Sequence, residues 1–372
     1  MKNNRQSQGD LGQHWTPIEI VETMTSLLER KSGAILEPTA GSGRFVRHLL
    51  NAGYDVNAIE IDESVIPDDI KSHYKIKNFF DWEGKKFDSI IGNPPYVNGR
   101  LANVCESLWR GEIPETANLY LHVIEKCVKM HLNQGGELVF VVPSTLLSGT
   151  SMGSELRDWM VSNGSFTHFL MPDISWESAA VSACIFRWVK GQTQGQVKTD
   201  DSYLRLHSSN GMIKLIDYDT SAVLSDHFEI GVGAAPSKKF ESDPHSGTSF
   251  LSGGCIKYYD VSRFKEWPRA RLTNPKNKIL VMPGPTRKID VFYDTTGWSP
   301  NQASHHTDHF LEPVRSLSNE SLIRAARILN DFMSRKGEML LLRIGGRWSA
   351  GIKDLRNMPL DKETHDALNA LT

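Results

Sequence analysis

The chain has 372 residues, 39% hydrophobic and 23% charged, with a formal net charge of −2. That length exceeds one ordinary α/β domain and suits two, at roughly 100–200 residues each. No apolar run approaches the ~20 residues of a membrane helix, the first ten residues lack the apolar core of a signal peptide, and Cys105, Cys127, Cys184 and Cys255 are too scattered for a CxxC zinc spacing or a disulfide framework, so a reducing cytoplasm is expected.

Ala34-Ile35-Leu36 reads as a short apolar strand. A glycine-rich turn follows at once, and residues 45–50 continue as a helix. Further strands are expected at 55–61, 87–91 and, fully apolar, 137–142. Residues 118–131 have helical spacing, with Leu119, Val123, Cys127 and Met130 near one face. Such alternation implies a mostly parallel sheet with helices on both faces. Ligands then bind beyond the carboxyl ends of the strands.

After about residue 190 the texture changes. Residues 191–202 are polar and read as a loop or linker, and Gly, Pro, Ser and His are frequent from 231 to 310. Regular periodicity returns at 322–333, which is helix-like. The expected division is 1–200 for the α/β domain and 201–372 for a smaller second one. Charge divides similarly. Residues 1–229 hold 21 Lys+Arg against 29 Asp+Glu, and residues 230–372 hold 21 against 15. Between 263 and 288 there are eight basic residues and one acid, Glu266. Chance or a solvated face would explain this asymmetry; so would an electrostatic footprint for a polyanion.

Three motifs carry chemistry. The first is Glu37-Pro38-Thr39-Ala40-Gly41-Ser42-Gly43, directly after the first strand. Glycines permit a sharp turn and close approach of a ligand. The acid at the strand end can accept a hydrogen bond from a cationic amine. Neither a P-loop Lys-Ser/Thr nor a full GxGxxG is present, which favours a cofactor without a phosphate. The second is Glu60, ending the second strand. An acid there, about 20 residues past the glycine turn, can take both ribose hydroxyls of a nucleoside; a solvated strand-end acid is the plainer reading.

The third and most specific is Gly92-Asn93-Pro94-Pro95-Tyr96, closing a buried strand. The Asn93 side-chain oxygen and the Pro94 carbonyl, held by proline's fixed φ, form two neighbouring acceptors. Two acceptors suit an amino group with two hydrogens, and Tyr96 offers a face on which a base can stack. An aromatic amine is a poor nucleophile because its lone pair is delocalised. Acceptors that pull on its hydrogens localise that pair for direct methyl transfer, by positioning and electrostatics.

These ordered motifs resemble the gamma group of DNA amino-methyltransferases, over roughly residues 11–190. The resemblance implies a Rossmann-like class I S-adenosylmethionine-dependent methyltransferase domain followed by a DNA target-recognition domain. Gly12-Gln13-His14-Trp15-Thr16-Pro17 is similar to the N-terminal cofactor motif, whose Thr-Pro backbone helps enclose the methionine end. Residues 36–43 are similar to the main cofactor loop, giving Glu37, Thr39, Ala40, Gly41 and Gly43 as contacts. Glu60, with Ile61 after it, matches the ribose position. Asn93, Pro94 and Tyr96 match the catalytic motif, with Pro95 against the cofactor's adenine. Asn118-Leu119-Tyr120 and the segment 135–143 resemble later structural motifs.

Residues 78–82 look like the motif that holds the cofactor's adenine, where an acid binds the amino group and a following phenylalanine packs on the ring. By register Asn78 takes the acid's place and Phe79 the aromatic's, with Asp81 the rival acid; Phe79 and Phe80 as simple core is the alternative. The uncharged Asn78 contact should be weaker. Trp176 has the spacing of the family aromatic that touches a flipped base from its second side, although core packing is the commoner use of such a residue. Residues 231–240 are similar to a segment opening many recognition domains, and Lys238 and Lys239 lie in it. Arg263, Lys265, Arg269, Arg271, Lys276, Lys278, Arg287 and Lys288 complete the expected DNA contacts. Charge alone does not separate phosphate contacts from base contacts. His305, His306 and His309 read as unliganded, so no metal is expected.

The expected activity is methylation of adenine N6 in double-stranded DNA by base flipping, in a restriction-modification system. A separate endonuclease partner and an orphan enzyme stay equally open, and the chain is expected to act as a monomer. The alternatives are N4-cytosine methylation, an RNA or protein-glutamine methyltransferase, and an inactive methyltransferase-fold DNA-binding protein.

Overall fold

A computed structural model describes residues 16–30, 33–97, 117–147, 153–172, 183–209, 212–220, 222–232, 309–340 and 352–372, together with short strands at 248–252, 255–259, 280–282, 292–293, 342–344 and 347–349. The chain divides into two compact units, 1–215 and 216–372.

The first unit alternates helices and strands in the expected order. It runs α1 (Ile18–Ser26), β1 (Ala34–Glu37), α2 (Arg44–Asn51), β2 (Asp55–Glu60), β3 (Tyr74–Ile76), β4 (Phe87–Gly92), α3 (Leu119–Lys126) and β5 (Leu132–Pro143). Then come α4 (Ser154–Asn163), β6 (Gly164–Leu170), β7 (Ala183–Lys190), β8 (Gln196–Lys198), β9 (Tyr203–Ser209) and β10 (Met212–Ile216). The strands form one sheet in the order β10-β9-β8-β6-β7-β5-β4-β1-β2-β3. β1 to β5 pair in parallel, while β7 runs antiparallel between β5 and β6.

Residues 138–142 of β5 are fully buried, as a central strand covered on both faces requires. Ile20, Val21 and Met24 of α1 and Phe45, Val46 and Leu49 of α2 pack on the sheet with Ile35, Val56, Ala58, Ile91 and Val139. Their spacing of three and four puts them on one helix face. Glu137 of β5, 1% exposed, fastens the exit of α1 to this sheet. Its carboxylate accepts from Glu29 N at 3.2 Å, Arg30 N at 3.1 Å, Ser89 Oγ at 3.0 Å and Arg187 Nε at 2.9 Å.

Two elements differ from the sequence reading. The polar stretch 191–202 contains strand β8, because Val197 is fully buried and its neighbours pair with β6 and β9. The sheet therefore continues beyond residue 200 to Ile216. The helix expected over 118–131 is α-helical only to Lys126; Cys127–His131 forms one wider π turn.

In the second unit, α5 (Asn319–Leu340) covers the periodic segment 322–333. Leu322, Ala325, Leu329 and Phe332 bury one stripe against Leu224, Phe228, Ile230, Leu311, Leu355, Leu360 and Leu368. Among the described residues, no helix is long and apolar enough to cross a membrane, and no group of three or more metal-ligating side chains occurs.

Candidate active site

Because β1, β2 and β4 are parallel, their last residues, Glu37, Glu60 and Gly92, arrive at one edge of the sheet. Strand order reverses between β1 and β4, the kind of switch point that opens a ligand crevice at the carboxyl edge. The two loops there are close. A Cβ added to Gly92 would lie 3.6 Å from Pro38 Cδ and 3.7 Å from Glu37 Cγ.

The turn after β1 is left-handed at Gly41, with φ 53°, and at Gly43, with φ 78°. At Gly43, which precedes α2, an added Cβ would fall on the Tyr74 hydroxyl and on Ile70. Backbone and space together therefore exclude a side chain. Ala40 N donates to Ile59 O at 2.9 Å, and the Tyr74 hydroxyl donates to Gly41 O at 3.3 Å, which ties the turn to β2 and β3.

Glu37 is 2% exposed, and its Oε2 has no hydrogen-bond partner. Burial, then repulsion from Glu60, hold its carboxyl well above the usual carboxylate range, and the Val46 N–H offsets only part of this. Glu60 is better provided for. It accepts from Gly41 N at 2.7 Å and from Ile61 N and Asp62 N at 2.9 Å each. Burial still raises its pKa, against the pull of those N–H groups. A carboxylate has about four acceptor sites, so Glu60 has one left and must release one of these three N–H groups to accept from both hydroxyls of a ribose. Ile61, immediately after it, is 45% exposed at this edge.

Asn93 follows β4. Its Nδ2 donates to Thr16 Oγ1 at 3.0 Å, while its Oδ1 is buried without a partner. Thr16 is 6% exposed, and its carbonyl accepts from Arg44 Nη1 at 2.8 Å. Pro17 caps α1, with its carbonyl accepting from Ile20 N and Val21 N. Pro94 is buried and Pro95 half-buried. The Tyr96 hydroxyl donates to Val141 O at 2.8 Å, and its ring meets Tyr120 edge-on at 6.2 Å between centroids. These contacts fix the plane of the ring, and burial pushes the phenol pKa up.

Glu37 Oε2, Thr39 Oγ1 and Asn93 Oδ1 are three buried polar atoms without protein partners, at or just beyond the ends of two adjacent strands. Leaving such a group unpaired costs about 1–3 kcal/mol. Three together at a ligand-binding edge fit a ligand that donates hydrogen bonds. An ammonium facing Glu37 and an amino group facing Asn93 satisfy that requirement, so these residues fit S-adenosylmethionine and an amine substrate.

The turn at residues 78–82 departs from expectation in one respect. Asn78 Oδ1 caps the turn by accepting from Phe80 N at 3.0 Å. Phe79, expected to pack on the cofactor's adenine, is instead core. It is 4% exposed, with ring centroids of His131 at 5.6 Å and Trp82 at 6.3 Å and Lys126 Nζ at 5.2 Å. Its neighbours already occupy the ring, so the aromatic with free surface is Phe80, half-buried against Val97 and Leu119. Asp81 is exposed.

The sequence reading did not single out Lys126, Arg44 or Tyr74. Lys126 is 3% exposed, and its Nζ donates to the carbonyls of Phe79 at 2.9 Å, Phe80 at 2.8 Å and Trp82 at 2.8 Å. The available signal was a lysine inside an otherwise buried helix. Trp176, Lys238, Lys239, Arg263, Lys265, Arg269, Arg271, Lys276, Lys278, Arg287 and Lys288 lie outside the described residues, as do His305 and His306.

Comparison with known proteins adds the following. Residues 42–171 match the family model of Eco57I restriction-modification methylases, and residues 1–64 match that of N-6 DNA methylases. The chain is 34% identical over 198 residues to the Type II methyltransferase M.HincII of Haemophilus influenzae, an alignment spanning 49% of this chain and 38% of the relative. It is 34% identical over 202 residues to M.TthHB8I of Thermus thermophilus, spanning 49% of this chain and 45% of that one. The chain thus spans less than half the length of these relatives. A solved Type IIL restriction-modification enzyme, MmeI in complex with DNA, superposes with a TM-score of 0.54 at 11% identity, covering 98% of this chain and 71% of the other. The likeness to that enzyme is one of fold, a mixed α/β chain built on a large central sheet.

Proposed function

We propose that this chain is a site-specific DNA methyltransferase that moves a methyl group from S-adenosylmethionine to N6 of an adenine flipped out of double-stranded DNA. The observation that carries the reading is the trio of buried unpartnered atoms, Glu37 Oε2, Thr39 Oγ1 and Asn93 Oδ1, beside the Pro94-Pro95-Tyr96 turn. The match of residues 1–64 to the N-6 DNA methylase model supports the choice of base.

When bound, S-adenosylmethionine supplies an electrophilic sulfonium methyl. The chain's own residues do the rest. Glu37, acidic and buried, receives the cofactor's ammonium and ionises as it does so. Glu60 exchanges one of its three backbone N–H bonds for a ribose hydroxyl. The backbone of Thr16 and Pro17 closes the methionine end. Asn93 Oδ1 and the Pro94 carbonyl accept the two hydrogens of the target amine and direct its lone pair at the methyl group. Tyr96, its hydroxyl anchored on Val141, supports the base with its ring, and Trp176 covers the second face. A carboxamide is no base, so Asn93 positions the amine, and the surplus proton leaves to water after transfer.

Residues 216–372 form the target-recognition unit in this reading, with the basic residues between 238 and 288 on phosphates and base edges. The protein acts as a cytoplasmic monomer of restriction-modification type, with a separate endonuclease chain and an orphan role equally open.

The test is transfer of labelled methyl groups to unmethylated genomic DNA, followed by nucleoside analysis, for the wild type and Asn93→Ala. N6-methyladenine is expected, with a loss of about a hundredfold or more in the variant. N4-methylcytosine would keep the mechanism and overturn the base. Cofactor binding without DNA methylation would move the substrate to RNA or protein.

A further inference from the structure

We propose that Thr16 is a positioning residue, whose hydroxyl holds the Asn93 carboxamide so that Oδ1 alone faces the target amine. The proposal rests on the reading above and gives the Thr16 hydroxyl a role separate from the backbone's contact with the cofactor.

A carboxamide presents one acceptor oxygen and one amino group with two donors, and rotation by half a turn exchanges them. Only the oxygen can receive a hydrogen of an exocyclic amine. With the NH2 turned inward, donors would oppose donors and the amine's lone pair would gain no direction. The Asn93 carboxamide is held in one orientation, with Nδ2 on Thr16 Oγ1 at 3.0 Å and Oδ1 buried and unpartnered. The bond to Thr16 thus occupies the donor end and leaves the acceptor end for the substrate.

Thr16 is itself held. It is 6% exposed, directly precedes the proline that caps α1, and its carbonyl accepts from Arg44 Nη1 at 2.8 Å. Arg44 is the first residue of α2, adjacent to Gly43 of the glycine turn. A short chain of contacts therefore runs from the glycine turn through Arg44 and Thr16 to Asn93.

Valine is close to threonine in shape and lacks the hydroxyl. In Thr16→Val, Asn93 Nδ2 loses its acceptor and the cheapest response is rotation about χ2, which carries Oδ1 out of line. The loss then falls on the transition state, where the acceptor acts, and spares cofactor binding. Serine keeps the hydroxyl and restores the bond.

The experiment measures methyl transfer to unmethylated DNA and S-adenosylmethionine affinity by calorimetry, for wild type, Thr16→Val and Thr16→Ser. Thr16→Val is expected to lower kcat by about tenfold or more, with the cofactor Kd within about threefold of wild type, and Thr16→Ser to recover most of the rate. Wild-type kcat in Thr16→Val overturns the proposal. A rise in cofactor Kd that parallels the fall in rate also overturns it and returns Thr16 to cofactor contact. Equal impairment of the serine variant shows that packing, not the hydroxyl, is what matters. A wild type that binds cofactor yet methylates no DNA removes the underlying reading and the proposal with it; an active wild type with an unimpaired valine variant removes the proposal alone.

Discussion

Replacing Lys126 by methionine separates the stability of the fold from the shape of one loop. The ammonium is buried and donates to the carbonyls of Phe79, Phe80 and Trp82. Hydrogen bonds to a charged group contribute about 1.5–3 kcal/mol each, so three give a gross hold of several kcal/mol. Opposing them is the loss of hydration of the ammonium, several kcal/mol for a buried ion. Burial lowers the Lys126 pKa, so the surroundings do not fully repay that loss. Lys126→Met, which fills similar volume without charge, should therefore leave the melting temperature near that of wild type. The loop 78–82 is what changes, because three carbonyls lose their common donor and turn toward water. If about 2 kcal/mol of the hold is specific to the closed loop, its competent population falls about thirtyfold and the apparent cofactor Kd rises in proportion. Calorimetric titration with S-adenosylmethionine reads this directly. kcat at saturating cofactor should stay within a few-fold of wild type. A folded Lys126→Met chain with wild-type Kd would refute the reasoning. So would a collapse of kcat with Kd unchanged. In the wild type, cofactor affinity should fall at alkaline pH, beginning below the range in which an exposed lysine titrates.

Glu37→Gln should raise stability at neutral pH and weaken cofactor binding. The folded carboxyl has a raised pKa, so above the unfolded pKa of about 4.3 the unfolded chain binds fewer protons and stability declines with rising pH; glutamine removes that decline, as thermal melts across pH will show. In the wild type, cofactor binding should release a proton from Glu37, visible as a calorimetric enthalpy that varies with the buffer's ionisation heat. Gly43→Ala should abolish cofactor binding and destabilise by about 1–3 kcal/mol, from a left-handed φ and a collision with Tyr74 and Ile70, measured by denaturant titration. Glu137→Ala should cost about 1–3 kcal/mol: Arg187 keeps Glu29 and Thr167 as partners, but Ser89 and the Glu29 and Arg30 N–H groups lose their acceptor; wild-type stability in that variant would show the network to be dispensable.

The sequence alone determined the α/β alternation of residues 34–142 and the edge of the sheet at which the candidate site lies. Both follow from local rules. Apolar runs such as 138–142 form strands covered on both faces, and parallel strands gather their carboxyl ends, so Glu37, Glu60 and Asn93 could be assigned to one site without coordinates. The need for glycine at position 43 was legible in kind, but its cause, the Tyr74 hydroxyl and Ile70, lies about thirty residues away and has no local signature. Only the tertiary structure decided that Phe79 is core while Phe80 keeps free surface. The two are adjacent and identical, and the choice between them is made by Lys126, Trp82 and His131, which reach Phe79 through the fold. The same holds for the orientation of Asn93. Its identity announced two hydrogen-bonding ends, and which end is free is set by Thr16, 77 positions earlier in the chain. A hydrogen bond across that separation depends on α1 packing on the sheet through Ile20, Val21 and Met24, and no local pattern encodes it.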